Sequence, residues 1–201
     1  MIKCNATVVG TVNRPVEIKS GRGDKAFVTF GMAVAVKDGD ESVKLDVSVA
    51  CDGEDDDVLD LIPGDRVKVK GVMTFKRFGD TLYYNLSAEK VSQGKKEEAD
   101  SFSGKLQFRG TLGSKDVIER EGRKGGFRAF DAYSSEKIDE DQYSYVWVHF
   151  IDFGKERPDW LGPRAGIEAE GKLELQVYNE AVSLGCRVET LTQWVKQTAS
   201  K

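Results

Sequence analysis

Hydrophobic and polar residues alternate along most of this chain. Val43, Leu45, Val47, Val49 and Cys51 fall on one side of an extended segment, and Lys44, Asp46, Ser48 and Ala50 on the other. That period of two marks a strand with one covered face. The same reading predicts strands over Cys4–Val12, Ala26–Val36, Val43–Cys51, Arg66–Phe75 and Thr81–Ser92, then Lys105–Leu112, Gly126–Ser134, Tyr143–Ile151, Gly166–Leu175 and Ala181–Leu191. The acidic run from Asp52 to Asp57 admits a divalent-cation site. It reads better as the start of a short helix, Asp55–Leu61, favoured by the helix dipole and ended by Pro63-Gly64. Pro158–Leu161 takes the corresponding place later in the chain.

The chain repeats itself. Sliding it by 100 residues aligns Gly10-Thr11 with Gly110-Thr111, Phe27 and Phe30 with Phe127 and Phe130, Pro63 with Pro163 and Gly71 with Gly171. The matches are residues that fix turns and cores, so they point to two copies of one domain. Boundaries follow: a first domain over 1–92, a polar linker over 93–103, a second domain over 104–192 and a short tail over 193–201. Five strands with a helix between the third and fourth define the oligonucleotide/oligosaccharide-binding (OB) barrel, which also hides its sheet edges. The expected fold class is all-β with short helices: two tandem five-stranded OB-fold barrels related by a 100-residue internal repeat.

Composition narrows the function classes. Hydrophobic residues make up 39% and charged residues 32% of the 201 positions. No apolar run approaches the roughly 20 residues that span a bilayer, and the N-terminus lacks a secretory pattern. Cys4, Cys51 and Cys186 are widely separated, which argues for a reducing, cytoplasmic setting without disulfides. With a single histidine and no zinc spacing, neither a metal nor another cofactor is implied, and nothing suggests an enzyme. His149 lies in the apolar run Tyr145–Ile151 and reads as a buried structural histidine. Arg22-Gly23-Asp24 reads as a glycine-rich turn. The net charge of −4 gives no global attraction to a polyanion, so nucleic-acid binding would need a local basic groove.

The first copy resembles the bacterial single-stranded-DNA-binding proteins. The resemblance rests on Val8-Val9-Gly10-Thr11-Val12, Pro15-Val16-Glu17-Ile18, Phe27 through Val34, Leu45-Asp46-Val47-Ser48-Val49 and Gly64-Asp65-Arg66-Val67-Lys68-Val69-Lys70-Gly71. It extends more weakly over the second copy. The family stacks bases on aromatics along a cationic surface. One stacking position, seven residues beyond the strand-four glycine, falls on Phe78 and Tyr178. Another, near the end of strand three, falls on Ala50 and Phe150. A third, near the start of strand three, falls on Lys44 and Ser144, with Tyr143 and Tyr145 one residue away. The family's acidic tail, which recruits replication and repair proteins, has no counterpart before Ser200-Lys201. The resemblance therefore implies no recruitment by that route, and a phage, plasmid or other accessory replication setting.

Alternation selects a surface independently of the resemblance. In strand four, Val67, Val69, Gly71, Met73 and Phe75 point inward, and Arg66, Lys68, Lys70, Thr74, Lys76 and Phe78 outward. Cations ending in an aromatic suit phosphates and a base. The candidate DNA-binding residues of the first copy are Arg14, Lys19, Arg22, Lys25, Lys44, Lys68, Lys70, Lys76, Arg77 and Phe78. In the second copy they are Arg120, Arg123, Lys124, Arg128, Phe150 and Tyr178. There the outward strand-four positions are acidic, Glu168, Glu170 and Glu174. The strand Tyr143–Ile151 is apolar on both faces, a pattern normally covered on both sides. The expected function is non-catalytic binding of single-stranded DNA with little sequence preference, in replication, recombination or repair. The expected partners are single-stranded DNA and a second copy of the chain in a homodimer, with no membrane partner. An OB-fold protein-interaction scaffold and an RNA-binding protein are the alternatives.

Overall fold

The computed structural model describes residues 1–20, 26–52, 56–122, 125–139, 142–154, 156–179 and 181–195. The chain is nearly all β, as its alternation predicts. Among the described residues eleven strands run in order: β1 (Ile2–Ser20), β2 (Ala26–Asp38), β3 (Glu41–Asp52), β4 (Arg66–Phe78), β5 (Thr81–Gln93), β6 (Ser101–Leu112), β7 (Ile118–Gly122), β8 (Gly125–Asp139), β9 (Gln142–Asp152), β10 (Gly166–Tyr178) and β11 (Ala181–Gln193). A single turn of helix, α1 (Asp56–Leu59), separates β3 from β4. At Pro158–Leu161 the expected helix is a turn, closed by Leu161 N–H donating to the Pro158 carbonyl. None of the described helices is long and apolar enough to cross a membrane.

The chain divides into two compact units. The first holds Cys4–Gly104 with Val177–Val182, and the second holds Met1–Lys3, Lys105–Gln176 and Ser183–Lys201. In the first unit the strands follow the order β2-β3-β5-β4-β1, and β1 pairs back onto β2 to close a ring. In the second, β6-β10-β11-β9-β8 repeats that order, with β6 pairing back onto β8. Strands three and five of each copy, β3 with β5 and β9 with β11, run parallel. The repeat is thus visible in topology as well as in spacing.

The repeated glycines have a packing cause. A Cβ on Gly71 would overlap the Ser87 carbonyl oxygen, and one on Gly171 would overlap that of Arg187. Both strands run too close to their neighbours for any side chain. Inside the rings Val8, Val28, Met32, Val47, Val67, Val69 and Met73 are buried in the first unit, and Leu106, Leu112, Phe150, Leu161, Ile167 and Leu184 in the second. Cys4, Cys51 and Cys186 are buried thiols.

One irregularity decides which side chains face outward. In the first unit Phe30 opposes Val49 and Lys37 opposes Ser42. In the second, Phe130 opposes Phe150 and Lys137 opposes Tyr143, with a register shift between Lys137 and Asp139. The β2–β3 hairpin is therefore one residue shorter than the β8–β9 hairpin, and Ile138 is the extra residue. Because strand faces alternate with period two, that bulge exchanges the faces of β9 relative to a gapless alignment.

Candidate functional site

On β9 the inward row is Ser144, Val146, Val148, Phe150 and Asp152, all buried. The outward row is Tyr143, Tyr145, Trp147, His149 and Ile151. Tyr143, Tyr145 and Trp147 are 51%, 47% and 46% exposed. Tyr133 of β8 joins them, its ring 5.5 Å from Tyr145 and 4.9 Å from Trp147, centroid to centroid. Trp147 lies over Gly113, where a Cβ would sit 3.3 Å from the indole. The result is a terrace of flat, solvent-facing rings on a sheet, a surface of the kind that can accept stacked planar groups. Only one face of β9 is covered within its own unit.

This arrangement corrects two expectations. Phe150 is 0% exposed and packs in the core, 5.2 Å from Phe130 in a stacked arrangement and 4.9 Å from Phe108. It is the counterpart of core Val49, not of Ala50, and has no face to offer a base. His149 is half-exposed on the outward row, not buried, and its Nδ1 lies 2.8 Å from Asp131 Oδ1. The gapless repeat concealed the aromatic row, because the one-residue difference between the hairpins shows only in the strand register.

Arg128 is a third correction. It is 6% exposed, and its Nε and Nη2 donate to Asp152 Oδ2 at 3.1 and 2.6 Å. A guanidinium so enclosed neutralises its own carboxylate and cannot reach a phosphate. Arg120 is exposed on β7 and lines a cavity of about 770 Å³ with Phe127, Phe153 and Arg157. Arg157 is held by Asp116 at 2.5 Å, and that contact, with the Val117 N–H, holds the Asp116 carboxyl below the usual carboxylate range. Arg123 and Lys124 lie outside the described residues, as does the side chain of Tyr178, whose backbone ends β10.

In the first unit, Arg14 and Lys19 line one groove of about 360 Å³ with Phe30, Ala50 and Asn85. Arg14 Nη2 donates to Ser48 Oγ at 3.0 Å, and Lys19 pairs with Glu17 at 3.3 Å, both at the surface. Lys44 is exposed on β3, at the position Tyr145 holds on β9. Arg22 and Lys25 lie outside the described residues.

The inward and outward rows of β4 fall as the alternation predicts, but its cations differ in availability. Lys68 pairs with Glu98 at 3.4 Å, and Arg66 is gripped by Asp100, the Glu98 carbonyl and Thr11. Residues between the copies thus fold back over this end of β4. Lys70 and Lys76 are exposed. At the hairpin tip Arg77 Nε donates to the Gly79 carbonyl, and Phe78 is 50% exposed with its ring 5.8 Å from Tyr83, edge to face. Tyr83, also exposed, extends this aromatic tip across the hairpin. In the second unit the acidic row of β10 is paired: Glu168 with Arg109, Glu170 with Lys105 and Glu174 with Arg187. Hydrogen bonds to Glu189 and Glu170 raise the Lys105 pKa above its ordinary value.

Comparison with known proteins adds the fold. No family model and no curated protein sequence matches the chain. The crystal structure of the wild-type single-stranded DNA binding protein from Thermus aquaticus is similar with a TM-score of 0.50 at 15% identity, covering 100% of this chain and 96% of that one. A deletion variant of the same Thermus protein is similar with a TM-score of 0.50 at 14% identity, covering 98% and 96%. The chain therefore has the OB-type, all-β fold found in bacterial single-stranded-DNA-binding proteins.

Proposed function

We propose that this chain binds single-stranded DNA, without catalysis, through two OB domains that divide the labour. The observation that carries the reading is the exposed row of Tyr143, Tyr145 and Trp147 with Tyr133 beside it. Stacking platforms of this kind accept any base, so most of the bound strand is held without regard to sequence. The equivalent row of the first unit is Ser42, Lys44, Asp46, Ser48 and Ala50, with Arg14 bonded to Ser48. That unit supplies cations to phosphates, helped by Lys70, Lys76 and the Phe78–Tyr83 tip, while the second supplies rings to bases. The Thermus aquaticus neighbours, which are single-stranded DNA binding proteins, support the same reading. In this proposal the domains follow the boundaries of the repeat, the chain pairs with a second copy, and the complex protects single strands in cytoplasmic replication, recombination or repair.

Titration of labelled oligo-dT by anisotropy, with duplex DNA and RNA as competitors at several salt concentrations, tests it. Binding that weakens with salt and resists duplex competition is expected. Equal affinity for duplex, or no binding at low salt, removes the proposal and leaves a protein-interaction scaffold. Preferential competition by RNA makes RNA the ligand.

A further inference from the structure

One carboxylate sits where a surface for a polyanion should not carry one. Asp131 of β8 faces outward directly across from His149, the next outward-facing pair along the sheet from Tyr133 and Trp147. Its side chain is 57% exposed, and Oδ1 lies 2.8 Å from His149 Nδ1. With the carboxylate accepting at Nδ1, the neutral imidazole carries its proton there and presents Nε2 as an acceptor. The polar atoms offered to a ligand are then acceptors: Nε2, the second carboxylate oxygen and the remaining lone pairs of the first.

The first unit places the opposite chemistry at this point. Its counterparts of Asp131 and His149 are Gly31 and Ser48. A Cβ on Gly31 would overlap the Arg14 guanidinium, which fills that space and donates to Ser48. An arginine there attracts a phosphate, whereas Asp131 repels one and complements the donor edge of a base. Guanine offers two adjacent donors on its Watson–Crick edge, N1–H and N2–H₂, which match the two oxygens of a carboxylate. Adenine and cytosine set one amino group beside an acceptor, and thymine sets its single N3–H between two carbonyls.

We propose that Asp131, oriented by His149, selects guanine at one position of the bound strand, making this part of the terrace a guanine subsite within an otherwise sequence-tolerant site. The proposal rests on the reading of β8 and β9 as the stacking surface.

The test compares three labelled strands by anisotropy: oligo-dT, the same strand with isolated guanines, and that strand with inosine replacing each guanine. The wild-type chain is expected to bind the guanine strand about tenfold tighter than oligo-dT, toward the low end of a bidentate base contact. Inosine, which lacks the N2 amino group, should forfeit most of that gain. Asp131→Asn should abolish the preference while oligo-dT binds as tightly as before or tighter, since a like charge has been removed. Equal wild-type affinity for the guanine and thymine strands overturns the proposal. So does an Asn variant that weakens on both strands alike, because Asp131 would then only shape the sheet. Failure to bind any strand at low salt overturns the functional reading itself, and this proposal with it.

Discussion

Val49 and Phe150 occupy the same core position in the two copies, each opposite its second-strand phenylalanine, Phe30 or Phe130. Phe150→Ala should therefore act on folding, costing about 3–5 kcal/mol as large core aromatics do. Trp147→Ala, one strand face away, should leave stability nearly unchanged and weaken single-strand binding by about 1–3 kcal/mol. Urea unfolding beside anisotropy titration separates the two. A Trp147→Ala variant that unfolds early while its folded fraction binds normally would make the terrace structural.

Phe78 and Tyr83 meet edge to face at an exposed hairpin tip. Phe78→Ala should weaken binding by about 1–3 kcal/mol if a base stacks there, with little loss of stability. Trp147, Trp160 and Trp194 all belong to the second unit. Labelled DNA is thus the better readout for this site than tryptophan quenching.

Arg128 and Arg120 are close in sequence and unlike in role. Arg128→Ala leaves Asp152 buried and unpaired, and should destabilise the second unit by about 3–5 kcal/mol. Arg120→Ala should leave the unfolding midpoint in place. If Arg120 meets a phosphate, the salt slope of binding becomes shallower by ~0.7, the single-strand value per contact. An unchanged slope would take Arg120 out of the DNA path.

Lys70 should matter more than Lys68, because Glu98 already engages Lys68. Lys70→Ala is expected to reduce the salt slope by ~0.7, and Lys68→Ala by less. Glu168→Lys with Glu170→Lys removes the partner of Arg109 and one of the two carboxylates that hold Lys105. Any gain in affinity should then come with a lower melting temperature, which thermal unfolding would register.

Cys4 is fully buried against the strand carrying Gly104, and burial pushes its thiol up to about 12. The folded state favours the neutral thiol. That contribution is complete below the ordinary cysteine range and is lost as pH rises from there toward 12. A maleimide at neutral pH should leave Cys4 unmodified until denaturant unfolds the chain. Rapid labelling of Cys4 under native conditions would contradict its burial.

Much of this protein is legible in its sequence. Alternation in β3 and β4 assigns inward and outward residues correctly, and the glycines at 10, 71, 110 and 171 mark where strands crowd each other. Those features depend on local periodicity and on the absence of a side chain, both written residue by residue. Three features belong to the tertiary structure alone. The bulge at Ile138 turns Tyr143, Tyr145 and Trp147 outward and Phe150 inward, because one added residue reverses every face beyond it. Asp152 draws Arg128 out of the solvent, and Glu98 and Asp100 close on Lys68 and Arg66. A cation's availability depends on carboxylates distant in sequence that folding brings to it, and no local pattern of charges encodes that meeting.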